Sequence, residues 1–215
     1  MSARRRVAVL ISGRGSNLGA LIEAADDPAY PAEIALVLSN RATAAGLDRA
    51  RAAGIATAAV SYKAAGAAAA EAEMTTILEA NGIEFVCLAG YMRLLSADFV
   101  ARWRDRMINI HPSLLPLFPG LDTHERALAA GVKLHGCTVH FVRHEMDSGP
   151  IIGQAAVPVL PGDTPETLAA RVLGAEHALY PRALALVARG DMRIEDERCV
   201  FTRPQPEAGA MLVSL

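Results

Sequence analysis

An asparagine and a histidine two residues apart, in the run Asn109-Ile-His-Pro-Ser-Leu-Leu-Pro116, carry the most specific chemistry this sequence offers, joined further along by the polar turn Asp147-Ser148-Gly149. Asn109 can donate an amide hydrogen to a carbonyl oxygen, and His111 has the side chain whose ordinary pKa lies nearest neutrality. On an extended segment the two side chains share a face, at the carboxyl end of a strand, where open α/β sheets place their ligands. A carboxylate beside His111 would favour the imidazolium and let the ring act as an acid. Asp147 is equally suited to closing an Asx turn next to Gly149. An amide, an imidazole and a carboxylate can together hold a carbonyl and move a proton.

A second group lies in the loop Ser12-Gly-Arg-Gly-Ser-Asn17. Gly13 and Gly15 either permit a tight turn or let backbone amides approach a ligand. Ser16 and Asn17 add side-chain donors, and the helix that follows aims its positive end at an anion. The glycines do not follow the Gly-x-Gly-x-x-Gly order of a dinucleotide site, and no Gly-Lys-Ser/Thr follows, so a single phosphate monoester fits better than a pyrophosphate. His124 and Glu125 open a helix and read as surface or capping residues, with Arg126 solvated. His135 and His140 fall on opposite sides of an apolar strand without a carboxylate at metal-site spacing, so no metal is expected and His140 reads as buried and hydrogen-bonded. Glu176 interrupts the apolar pattern of a long helix. It either meets a ligand hydroxyl or ammonium or lies on the helix surface.

The elements that must position these groups begin with the apolar run Val7–Ile11, the glycine loop, and a helix carrying Leu18, Leu21 and Ile22. The rhythm recurs in strand 34–38 with a helix near 44–53, strand 56–60 with a helix over about 67–80, and strand 83–88. Unalternated apolar strands separated by helices predict a parallel sheet covered on both faces. After a short strand at 107–110 the pattern changes to antiparallel candidates at 136–142 and 150–157, joined by the polar segment 143–149. A helix over 165–189 follows, with Leu168, Val172, Ala175 and Leu179 on one side. The expected fold is α/β: a single domain with a mostly parallel twisted sheet flanked by helices, a Rossmann-like N-terminal half and antiparallel additions in the C-terminal half. Within 1–215 the halves are expected at about 7–105 and 106–190, with 191–215 a C-terminal extension.

Acidic residues exceed basic ones by only two, and the basic residues are scattered apart from Arg4-Arg5-Arg6, which reads as a solvated tail. No nucleic-acid partner is expected. The longest apolar runs fall short of a membrane span, no secretory cleavage pattern is present, and a cytoplasmic location follows. Cys87, Cys137 and Cys199 are far apart and read as structural thiols. Nothing in the sequence chooses between monomer and homodimer.

In Ser12–Asn17, Ala89-Gly-Tyr-Met-Arg-Leu-Leu-Ser96, Asn109–Gly120, His140-Phe-Val142 and Asp147-Ser-Gly-Pro150 the chain resembles the folate-dependent formyltransferase family, specifically its glycinamide ribonucleotide transformylases (phosphoribosylglycinamide formyltransferases). The resemblance implies the formyltransferase fold. It also implies transfer of a formyl group from 10-formyltetrahydrofolate to the amine of phosphoribosylglycinamide in purine biosynthesis, without metal or nicotinamide. It assigns Asn109, His111 and Asp147 as the catalytic residues, and Gly13, Gly15, Ser16, Asn17 and Glu176 to the ribonucleotide. The folate falls to Met92, Arg93, Leu94, Leu95, Asn109, His140, Val142 and Arg143, with Lys63 standing for a basic residue of a shorter loop after the third strand. Asp122 stands where some relatives have histidine, which puts a second histidine's role in doubt. Formyltetrahydrofolate hydrolases share the trio and are the alternative. Methionyl-tRNA formyltransferases carry a tRNA-binding domain and a positive patch not found here. A nonenzymatic nucleotide-binding module would need only the glycine loop.

Overall fold

The computed structural model describes residues 4–203; the last twelve positions of the expected C-terminal extension, 204–215, lie outside them. Seven strands form one sheet in the order β3-β2-β1-β4-β5-β6-β7, and β8 and β9 form a separate pair. By contact the chain divides into two units, one of residues up to Asn109 with Phe141–His144, the other of Ile110–His140 with the residues from Glu145 onward.

In the first unit β1 (Arg5–Ile11), α1 (Ser16–Ala25), β2 (Ala32–Ser39), α2 (Ala45–Ala52), β3 (Ala56–Ala59), α3 (Tyr62–Ala65), α4 (Ala67–Ala80), β4 (Phe85–Leu88), α5 (Ala97–Arg102) and β5 (Met107–His111) alternate as the apolar runs predict. All neighbouring pairs from β3 to β5 are parallel. Val7–Ile11 is shielded from water on both faces, which is why the run has no polar alternation. α4 packs through Ala70, Met74 and Leu78, four residues apart, so its small residues bring it close to the sheet. The chain builds outward from β1 through β2 to β3 and then returns to the other side of β1 with β4. That reversal puts the loops after β1 and β4 side by side at a topological switch point.

Three differences from the sequence expectation stand out here. Arg4–Arg6 is not a solvated tail. Arg4 donates through Nε to the carbonyl of Ala32 at 3.0 Å, and Arg5 and Arg6 begin β1, paired with Glu84 and Glu33 at 2.5 Å. Tyr62–Ala65, read as loop, is a single helical turn, and Ala97–Arg102 is a short helix capped by the Ser96 hydroxyl. Both are too short to show helical periodicity.

In the second unit α6 (Thr123–Ala129) precedes β6 (Leu134–Phe141) and β7 (Ile151–Pro158), which pair antiparallel with a register shift between Val139 and His140. α7 (Pro165–Arg189) starts at a capping box formed by Thr164 and Thr167 with Pro165 in its first turn, and stops at Gly190, φ 72°. Its buried line runs Leu168, Val172, Glu176, Tyr180 and Leu184 rather than through Ala175 and Leu179. Glu176 therefore lies inside the apolar stripe, and the surface alternative for it is excluded. The segment read only as an extension contains β8 (Met192–Glu195) and β9 (Arg198–Phe201), a hairpin turning on Asp196 and Glu197 at positive φ.

Candidate active site

In the first unit the glycine loop ends at Gly15, which caps α1 in the left-handed region (φ 69°) and accepts the Gly19 amide at 3.1 Å. Such a backbone favours glycine. A Cβ at Gly15 would also lie 3.1 Å from the Gly46 Cα, because Gly46, at the start of α2, packs against the loop and donates its amide to the Gly13 carbonyl at 3.0 Å. Gly13 is exposed, Ser16 half-buried and Asn17 buried. The first-turn amides of α1 that follow have no helical acceptor of their own and carry the positive end of the helix dipole. Ser12 ties this loop to the one after β4: its amide donates to the Gly90 carbonyl at 3.2 Å, and its hydroxyl accepts the Met92 amide at 2.8 Å.

Beyond that link Met92 and Leu94 are 60% and 76% exposed, while Leu95 packs against the core. Arg93 lies 4.7 Å above the Tyr62 ring, and Lys63 is exposed on α3. Val142 also packs on this core. Arg143, expected near a ligand, has its guanidinium engaged by Asp105 at 2.8 Å and by the Val142 carbonyl at 3.1 Å. Asn109 is half-buried near the end of β5, opposite Leu88 of β4.

In the second unit His111 and Asp147 meet. Their side chains are 7% and 10% exposed, and Nδ1 of His111 lies 3.3 Å from Oδ2 of Asp147. Nε2 of His111 lies 3.0 Å from the Phe118 carbonyl, which can only accept. A ring carrying a hydrogen on each nitrogen satisfies both neighbours. Asp147 Oδ2 also accepts the Gly120 amide at 2.8 Å, and Oδ1 lies 3.8 Å from Nε2 of buried His140. Asp147 itself adopts φ 54°, a left-handed conformation that Asp tolerates better than most residues. The turn after His111 is fastened to β6 and β7: Thr138 Oγ1 accepts the Leu115 amide and donates to the Ser113 carbonyl, and Gln154 donates to the Leu115 carbonyl. Asp122 is exposed, at the N-cap position of α6 with φ 56°.

Glu176 is buried, and its charge, after burial itself, helps push the Cys137 thiol up to about 12. None of the three cysteines forms a disulfide among the described residues, and Cys87 and Cys137 are buried. Among the described residues no cluster of three or more His, Cys, Asp or Glu is arranged to hold a metal ion, and no helix is long and apolar enough to cross a membrane.

His124, expected as a surface or capping residue, is half-buried at the start of α6, with its ring against that of His135. The fully buried His135 meets His124 edge-on at 5.3 Å and Phe118 at 5.9 Å between ring centroids. Burial lowers the pKa of His135 to about 4 from the ordinary 6.5. The unfolded chain therefore binds this proton more tightly than the folded one. Stability is complete above about pH 6.5 and declines as pH falls toward 4, by up to about 3 kcal/mol from this group. Urea unfolding between pH 7 and 4.5 is expected to show that loss, and His135→Phe is expected to flatten it. An unchanged slope in the variant would assign the acid sensitivity to other groups.

The formyl transferase family model matches residues 5–184. The phosphoribosylglycinamide formyltransferase of Escherichia coli is 44% identical over 88% of this chain and 90% of its own length. The trifunctional purine biosynthetic protein adenosine-3 of Drosophila pseudoobscura pseudoobscura is 55% identical over 88% of this chain, which spans only 14% of that protein. The crystal structure of glycinamide ribonucleotide transformylase 1 from Symbiobacterium toebii superposes with a TM-score of 0.90 at 46% identity, covering 94% of this chain and 95% of that one. The chain belongs to the formyl transferase family.

Proposed function

We propose that this chain transfers the formyl group of 10-formyltetrahydrofolate to the primary amine of phosphoribosylglycinamide, giving the N-formyl product and tetrahydrofolate in de novo purine biosynthesis. The observation that supports this most is the Asp147 carboxylate seated against His111, two residues beyond Asn109 on one strand, in a chain of this family. The amine nitrogen attacks the formyl carbon, and the bond from that carbon to the folate N10 breaks. The proton lost by the amine is matched by one gained at N10, with water carrying what His111 does not reach. The Asn109 amide and a His111 N–H stabilise the oxyanion of the tetrahedral adduct, and Asp147 steadies the ring and its positive charge. A substrate oxygen taking the Nε2 hydrogen of His111 replaces the Phe118 carbonyl as its acceptor. No formyl-enzyme forms.

In this reading Gly13, Gly15, Ser16 and Asn17 receive the phosphate, and Glu176 meets the ribose and glycinamide end. Met92, Arg93, Leu94, Leu95, His140 and Val142 hold the pterin, a flat ring suited to the exposed apolar side chains of Met92 and Leu94. Arg143 contributes through its stem and backbone, since its guanidinium is engaged elsewhere, and Lys63 approaches the anionic end of the folate. The enzyme works on small molecules in the cytoplasm, without nucleic acid.

The deciding experiment supplies the protein with 10-formyltetrahydrofolate, with and without phosphoribosylglycinamide, and measures tetrahydrofolate, formate and formylated nucleotide together. Formylated nucleotide in step with tetrahydrofolate, and little formate, is the expected result. Formate released at the same rate without the nucleotide would make the protein a hydrolase. The glycine loop has its own test. Gly15→Val forces a β-branched residue into a left-handed backbone against Gly46, and is expected to weaken ribonucleotide binding about 10-fold or more while folate binding stays within about twofold. Calorimetric titration with each ligand separates the two. Equal losses would signal a folding defect instead.

A further inference from the structure

Glu71 is a buried carboxylate that none of the roles above uses. It sits on α4 beside the packed line of Ala70, Met74 and Leu78 and is 5% exposed. A carboxylate taken from water is costly unless donors converge on it. Here the Ser96 amide donates to Oε1 at 3.0 Å, the Ser96 hydroxyl to Oε2, and the Tyr62 hydroxyl to Oε1 at 3.4 Å. The Tyr62 hydroxyl in turn accepts from that of Tyr91 at 3.3 Å. Burial pushes the pKa of both phenols up, so each keeps the hydrogen it donates.

These contacts hold the segment 91–96. At its start the Met92 amide is fixed to Ser12; at its end Ser96 both meets Glu71 and accepts the Phe99 amide to cap α5. Arg93, between them, is stacked on Tyr62, itself joined to Glu71. The exposed Met92 and Leu94 thus project from backbone secured on both sides. Apolar surface that is already ordered binds a ring without the entropic cost of ordering it afterwards.

We propose that Glu71 is a positioning residue for the folate donor, fastening the 92–95 segment through Ser96 and Tyr62 so that its apolar side chains meet the pterin preformed. This rests on the reading of that segment as pterin-binding. In Glu71→Ala the KM for 10-formyltetrahydrofolate is expected to rise about 10-fold, while kcat and the KM for the ribonucleotide stay within about twofold. Glu71→Gln, whose side-chain oxygen still accepts the Ser96 amide, is expected to recover most of the donor KM. Amide exchange at Ser96 is expected to accelerate about 10-fold in the alanine variant. If Glu71→Ala does not fold, Ser96→Ala carries the same comparison, since it removes the hydroxyl contact without touching α4. A donor KM unchanged in a folded variant, or both KM values rising together, would overturn the proposal, as would unaltered Ser96 exchange. Absence of formyl transfer by the unaltered protein would defeat the functional reading instead, and amide exchange would then decide the tether by itself.

Discussion

Asn109→Ala and His111→Ala are each expected to lower kcat about 100- to 1,000-fold with both KM values nearly unchanged, the scale seen when one donor to a developing oxyanion is removed. On β5 Asn109 stands half-buried opposite Leu88, and His111 closes the strand. In the proposed reaction both groups act on the formyl oxygen as the tetrahedral adduct forms. Their hydrogens matter most when the oxygen gains charge, so the loss falls on turnover. Steady-state rates with both substrates saturating, alongside circular dichroism to establish folding, make the measurement. Near-normal turnover in either folded variant would remove that residue from the chemistry.

Asp147→Asn should cost about 100- to 10,000-fold in kcat while leaving the thermal midpoint close to that of the unaltered protein. Asparagine keeps an oxygen for the Gly120 amide and tolerates the left-handed backbone at φ 54°, so the turn survives. What disappears is the negative charge 3.3 Å from His111 Nδ1. The variant thereby separates the two roles open to this residue, closing a turn or supporting a positive ring. A turn residue alone would leave kcat within a few-fold, and such a result would return Asp147 to the loop.

Much of the architecture is legible in the sequence because its causes are local. Val7–Ile11 reads as a doubly covered strand since no polar residue interrupts it, and α7 is bounded by a Thr-Pro start and a glycine stop. The β8–β9 hairpin is not legible: its turn places Asp196 and Glu197 at positive φ, where an Asn-Gly or Gly pair would have announced it. Glu71, Glu73 and Glu79 look interchangeable on an alanine-rich helix. Only the rotation of α4 against the sheet sends the first inward. The same holds for Glu176, whose burial follows from which line of α7 faces the strands. The approach of Asp147 to His111 depends on the path of the chain between β6 and β7, which no periodicity encodes.

Asn109 and His111 share one strand, so their separation is set by covalent geometry at about 6.6 Å between Cα atoms. The strand works as a ruler: no loop rearrangement can stretch it, and in the proposed reaction a substrate oxygen presented to one donor would meet the other at a fixed offset. The carboxylate obeys a different rule, because Asp147 arrives on a separate stretch of chain, in the turn between β6 and β7. Evolution or a designer can therefore adjust the charge behind the histidine, by lengthening or stiffening that turn, without recalibrating the pair of donors in front of it.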